Sequence, residues 1–202
     1  MARENAAARV AFPMPRPYNA CMKFLFAALL AFSWIGPALA EPAPSPKAAE
    51  ALELLKSHDE YQRSLGFLRL EALREAVTLP AIQTYTTHKD EETRAYAWRA
   101  VAAIAGASAV PALLEAYRTE RYAKVRRAIL LGLEPLQASS PEVLPVLITA
   151  MRHADQELCM TAVDIVSRID HPDARAAVLE RAKKEGRRDV RRVLKAAVAR
   201  LQ

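Results

Sequence analysis

Residues 88–104 read HKDEETRAYAWRAVAAI, a polar turn followed by an amphipathic helix. Asp90 stands where a helix N-cap belongs, because its short side chain can accept from an amide two or three residues on. Counting from Thr93, apolar side chains recur at offsets 3, 4, 7, 8 and 11, as Tyr96, Ala97, Ala100, Val101 and Ile104. That spacing is one continuous stripe on a helix of 3.6 residues per turn. Four other stretches repeat the pattern: SHDEYQRSLGFLRLEAL at 57–73, ERYAKVRRAILLGLEPL at 120–136, ADQELCMTAVDIVSRI at 154–169 and GRRDVRRVLKAAVARL at 186–201. Aligned, they place Arg63, Arg94, Arg126, Cys159 and Arg191 in one column, at spacings of 31, 32, 33 and 32 residues. A near-constant period in this range marks stacked repeats.

A shorter helical pattern precedes each of these. Three of the short helices open on an apolar-proline pair, Leu79-Pro80, Val110-Pro111 and Leu144-Pro145. Proline is tolerated there because its missing N–H has no intrahelical partner in the first turn. A lone hairpin cannot cover its apolar stripe, so neighbours must stack. The expected fold is an all-α, right-handed α-α superhelix of about five helical hairpins. The units fall at about 48–77, 78–108, 109–140, 141–170 and 171–202.

Composition agrees with this. Hydrophobic residues make up 52% of the 202, charged residues 26%, and glycine occurs only 5 times, which favours a packed helical chain over disorder or sheet. The net charge of +6 is unevenly spread: residues 1–40 carry +3, 41–180 carry −4 and 181–202 carry +7.

Upstream of the repeats, Lys23 to Ala40 reads KFLFAALLAFSWIGPALA. A positive residue, a short apolar run, a Gly-Pro break and small residues around Leu39 make a secretory signal, cleaved after Ala40. Residues 22–40 are expected to be the signal helix, 41–47 (EPAPSPK) an extended Pro-rich linker and 48–202 the repeat domain. Translation from Met22 would leave 1–21 as an upstream extension. The chain is thus expected to be exported, to the periplasm, with an uncleaved inner-membrane anchor as the alternative.

The pattern of Asp, two residues, apolar-Arg and paired small residues, as in DEETRAYAWRAV and KVRRAILLGL, resembles HEAT repeats, including the HEAT-like repeats named after phycobilisome lyases. The resemblance covers about 48–202. It departs where Cys159 replaces the column arginine, and where Tyr122 and Arg187 replace the capping aspartate seen at 59, 90 and 155. It implies at most a tetrapyrrole-handling relative, and an export signal fits poorly with a cytoplasmic lyase.

Candidate chemistry is sparse. His58, His88 and His153 fall in the hairpin turns, about 10 Å from one unit to the next, too far apart to share an ion readily. The four histidines precede Asp59, Lys89, Ala154 and Pro172, so the His-Glu pairs by which the HEAT-repeat deoxyhypusine hydroxylases hold iron are absent. Once the signal is removed, Cys159 is a lone thiol and reads as an inert core residue. No phosphate loop or nucleophile with a partner is found. The expectation is therefore a non-catalytic scaffold with no catalytic, cofactor-binding or metal residues. Its contact ribbon would be the offset-5 side chains on a concave face: Phe67, Trp98 and Leu130, with Arg99 beside them, holding a protein partner of unknown identity. The basic end, Arg187, Arg188, Arg191 and Arg192, is expected to meet an anionic surface such as a membrane. Nucleic acid is not expected. The alternative functions are a lyase-type or cofactor-handling protein, or a peripheral membrane binder.

Overall fold

In the computed structural model, residues 42–201 can be described. The expected signal, the upstream extension and cleavage after Ala40 all lie outside the described residues. Ten α-helices and no strands occur among the described residues. They pair in chain order: α1 (Pro46–Leu55) with α2 (Glu60–Leu73), α3 (Leu79–Gln83) with α4 (Glu91–Ala105), and α5 (Val110–Thr119) with α6 (Ala123–Leu133). Then come α7 (Val143–Ala150) with α8 (Gln156–Val166) and α9 (Pro172–Lys184) with α10 (Arg188–Arg200). Short 3-10 turns at Ala76–Thr78, Thr84–Thr87, Gly106–Ala109 and Glu134–Leu136 flank the middle helices.

Local chemistry sets the helix limits. Pro46 and Lys47, expected in the linker, are instead the first residues of α1: proline occupies the N-terminal turn, and Ser45 Oγ accepts from Ala48 N–H at 3.2 Å. Asp59, Asp90 and Asp155 all act as N-caps, accepting from Tyr61, Thr93 and Leu158 amides at 3.0, 2.7 and 2.8 Å. Each cap is worth about 1 kcal/mol. Gly106 ends α4 with φ of 57°, a backbone conformation that a side chain at that position would oppose.

The second helices form a continuous row, with α2 on α4, α4 on α6, α6 on α8 and α8 on α10. The first helices touch one another less, α5 on α7 and α7 on α9. One apolar core runs the length of the stack, from Ala48 and Leu55 through Ile82, Leu113, Ile129 and Leu147 to Val178 and Leu194. Each large side chain removed wholly from water contributes about 1.5–3 kcal/mol. The row is tightest where α6 crosses α4: a Cβ on Gly132 would lie 2.7 Å from Ala102 Cβ.

Candidate functional site

The conspicuous polar construction is in the hairpin turns, and it repeats. Two residues before each second-helix cap, a side chain accepts from the cap residue's own N–H. Ser57 Oγ serves Asp59 (3.1 Å), His88 Nδ1 serves Asp90 (3.1 Å), Glu120 Oε1 serves Tyr122 (3.0 Å), His153 Nδ1 serves Asp155 (3.0 Å) and Glu185 Oε1 serves Arg187 (2.8 Å). His88 and His153 are thus turn-closing acceptors. Among the described residues, no group of three or more His, Cys, Asp or Glu is placed to hold a metal ion.

The arginine column clamps the same turns. Arg63 Nη1 donates to the carbonyls of Ser57 and His58 at 3.0 and 2.8 Å, and Arg94 Nη1 to those of His88 and Lys89 at 2.8 and 3.1 Å. Arg126 Nε donates to Glu120 O at 2.7 Å. Each guanidinium also reaches the next unit. Arg63 Nε donates to Thr93 Oγ1 at 3.2 Å, and Arg94 donates through Nε and Nη2 to the Glu120 carboxylate at 2.9 and 3.2 Å. Arg126 Nη1 lies 3.2 Å from His153 Nε2. Where Tyr122 replaces the capping aspartate, Arg94 stacks over its ring at 5.2 Å. Burial pushes the Glu120 carboxyl upward, but hydrogen bonds from Arg94 and from the Tyr122 and Arg121 amides outweigh it and hold it below the usual range.

At the fourth unit the column residue is Cys159, fully buried, and it receives help from the unit that follows. Arg187 Nη1 donates to His153 O and Ala154 O at 3.3 and 3.2 Å, the pair of carbonyls an arginine at 159 would hold. Arg187 is in turn fixed by Glu185, which also pairs with Arg181. Burial raises the Glu185 carboxyl, yet hydrogen bonds from Arg187 and the charges of Arg181 and Arg187 carry it down to about 2.

The expected contact ribbon dissolves in this geometry. Phe67 and Leu130 are fully buried and Trp98 is half-buried against the core. Phe67 packs edge-on against Tyr85 at 5.5 Å, so offset 5 faces the first-helix segment of the next unit rather than solvent. A second helix in a stack has two neighbours to cover, and its apolar arc is accordingly wider than one stripe. Arg99 is tied to Glu71 of α2 at 3.0 Å. Of the basic end, Arg187 belongs to the turn network, whereas Arg188, Arg191 and Arg192 are exposed.

The larger concavities lie along the first helices, where the loose contacts between α5, α7 and α9 leave grooves, while Trp98 and Arg99 border two others beside α4, of about 460 and 170 Å³. A cavity of about 750 Å³ between α7 and the start of α9 has an apolar bed of Pro141, Leu144, Pro145 and Ile148, closed by Asp170, His171 and Asp173. Asp170 and His171 also border a second cavity of about 470 Å³ lined by Arg168, Arg175 and Arg200. His171, N-cap of α9, accepts through Nδ1 from Asp173 N–H at 3.2 Å. A neutral imidazole fixed in this way carries its proton on Nε2, available to donate. In the second cavity, Arg168 and Arg200 share Asp164, whose carboxyl burial raises but whose hydrogen bonds to the two arginines bring below the ordinary range. Arg168 and Arg200 are held by Asp164 and Glu134, whereas Arg175 forms no ion pair among the described residues. An apolar bed, one fixed donor and this one cation make a site for a largely apolar group bearing acceptors or a carboxylate.

Stacked hairpins, cross-unit arginines and grooves between first helices define an α-solenoid. The family model for HEAT repeats matches residues 48–134 and 122–199, and the chain belongs to that family. No curated protein matches the chain. Among solved structures it is similar to a chain of the complex of CpcE and CpcF of phycocyanin lyase from Nostoc sp. PCC7120. The two share 21% identity, with a TM-score of 0.62 over 74% of this chain and 96% of that one. This finding overturns the expectation of a non-catalytic scaffold: a solenoid of the same build is part of a lyase, so the step from repeat fold to absence of chemistry fails.

Proposed function

We propose that the chain is a lyase-type HEAT-repeat protein, holding a conjugated, carboxylate-bearing organic group of tetrapyrrole kind while a bond to it is made or broken by addition or elimination. The observation that carries this reading is the likeness in fold to a phycocyanin lyase chain along nearly all of that chain's length. The paired cavities around His171 supply what such a step needs. Leu144, Pro145 and Ile148 offer an apolar bed, and Arg175 beside it offers a cation for a carboxylate. His171 Nε2–H donates to an acceptor on the group and so stabilises charge that develops there. We propose also that the chain reaches its place of work by export, on the strength of the Lys23–Ala40 segment.

The test is visible absorption of the purified protein titrated with a linear tetrapyrrole carrying propionates. Binding shifts and sharpens the band, and His171→Ala and Arg175→Ala each weaken it about tenfold with helicity unchanged. A spectrum identical to that of free tetrapyrrole at every protein concentration sinks the reading.

A further inference from the structure

α10 is amphipathic: Val190, Leu194 and Ala197 face inward and are buried, and the opposite face is exposed. That side presents Arg188, Arg191, Arg192 and Lys195, all exposed. The positions are i, i+3, i+4 and i+7, one stripe about 10 Å long. Among the described residues the one carboxylate that pairs with the stripe is Asp189, 3.9 Å from Arg192 and also bound by Gln156 at 3.1 Å. Arg188, Arg191 and Lys195 form no ion pair among the described residues.

Cations on the middle second helices are compensated across units. Arg99 meets Glu71, Lys124 meets Glu92 and Arg127 meets Glu157, while Arg200 at the far end of α10 meets Asp164. Lys47, Arg74, Lys89, Arg121 and Lys183 are also exposed and without an ion pair among the described residues, but they are scattered singly, whereas α10 gathers its unpaired cations on one helix face. Residues 41–180 carry −4 and 181–202 carry +7, so the molecule is electrically polarised towards this end.

We propose that the α10 stripe docks the chain on an anionic lipid surface, independently of the lyase reading. A protein partner is disfavoured because stable protein interfaces are built on aromatic or apolar anchors with charges depleted at the centre. The exposed large apolar side chains, Tyr61, Leu68, Tyr122, Leu131 and Leu179, all lie off α10. A headgroup layer needs only net charge, with each basic residue near the surface strengthening partition about fivefold. The acidic body is repelled by the same surface, so the solenoid stands on its last hairpin. Duplex nucleic acid asks for more phosphate contacts than this short stripe offers, typically about six to ten.

The full chain is sedimented with vesicles of phosphatidylcholine alone and of phosphatidylcholine mixed with phosphatidylglycerol, and the difference between the two is read. The wild type favours the anionic vesicles, less so as salt rises. Arg188→Glu/Arg191→Glu/Arg192→Glu abolishes the preference, a loss of about a hundredfold or more. Lys47→Glu/Lys56→Glu/Arg69→Glu, an equal charge change on the first hairpin, costs at most a few fold. Replacement of the three α10 arginines by glutamine keeps the test decisive should the reversed variant misfold, with a loss of about thirtyfold or more. Equal binding to both vesicle types, equal loss in the first-hairpin variant, or tight binding to duplex DNA in place of anionic vesicles overturns the proposal.

Discussion

Arg187 Nη2 stands 3.1 Å from the sulfur of Cys159, and the same guanidinium grips the two carbonyls that the column arginine grips in the earlier units. The cysteine makes room and its own S–H donates to Met151 O at 2.9 Å, leaving no polar group stranded.

Exchange of the two residues follows from this. Arg187→Ala destabilises by about 2–3 kcal/mol, since it strips the His153 and Ala154 carbonyls and half of the partners of Glu185. Cys159→Arg alone is also destabilising, because two guanidinium groups then compete for one place. In the double variant the losses partly cancel, and a urea-melt double-mutant cycle reads the coupling. Simple additivity would show that the two positions do not share a site.

Glu185 gives a pH dependence with a defined sign. Its folded pKa, about 2, lies below the ordinary 4.5, so its contribution is complete above about pH 4.5 and is lost as pH falls towards 2. The stabilisation is about 3 kcal/mol. Glu185→Gln is less stable than wild type at pH 7, and the gap closes in the acid window in matched denaturant melts.

Gly132→Ala forces α6 away from α4 and costs about 1–3 kcal/mol. Ala102→Gly in the same chain restores most of it, because the clash is between two β-carbons. Melting temperatures of the three variants decide the matter.

Truncation of the offset-5 residues separates core from contact surface. Phe67→Ala costs about 3–5 kcal/mol and the half-buried Trp98→Ala about 2. Unchanged melting temperatures in both would put these side chains back on the surface.

Much of the stack was legible because it rests on short-range rules. The period, the apolar offsets and the capping aspartates at 59, 90 and 155 each follow from helix geometry over a few residues. The turn-closing column was hidden, since Ser57, His88, Glu120, His153 and Glu185 share no residue type, only the power to accept from an amide. The ribbon misread at Phe67 and Leu130 has a related cause: periodicity shows that a face is apolar but not how many neighbours it meets. The grooves beside α7 were invisible for another reason. Their walls come from separate units, and Ile148 and His171 become neighbours only through stacking.

The reach of each column arginine into the following turn has an evolutionary corollary. The carbonyl grip is the same at Arg63 and Arg94, and the forward partner is an acceptor of either kind, the hydroxyl of Thr93 or the carboxylate of Glu120. As far as the polar junction goes, hairpins can then be lost or duplicated in phase without rewriting it, since with the second unit removed Arg63 would inherit Glu120. The last two hairpins are different: Cys159 and Arg187 are fitted to each other, so they travel as a pair.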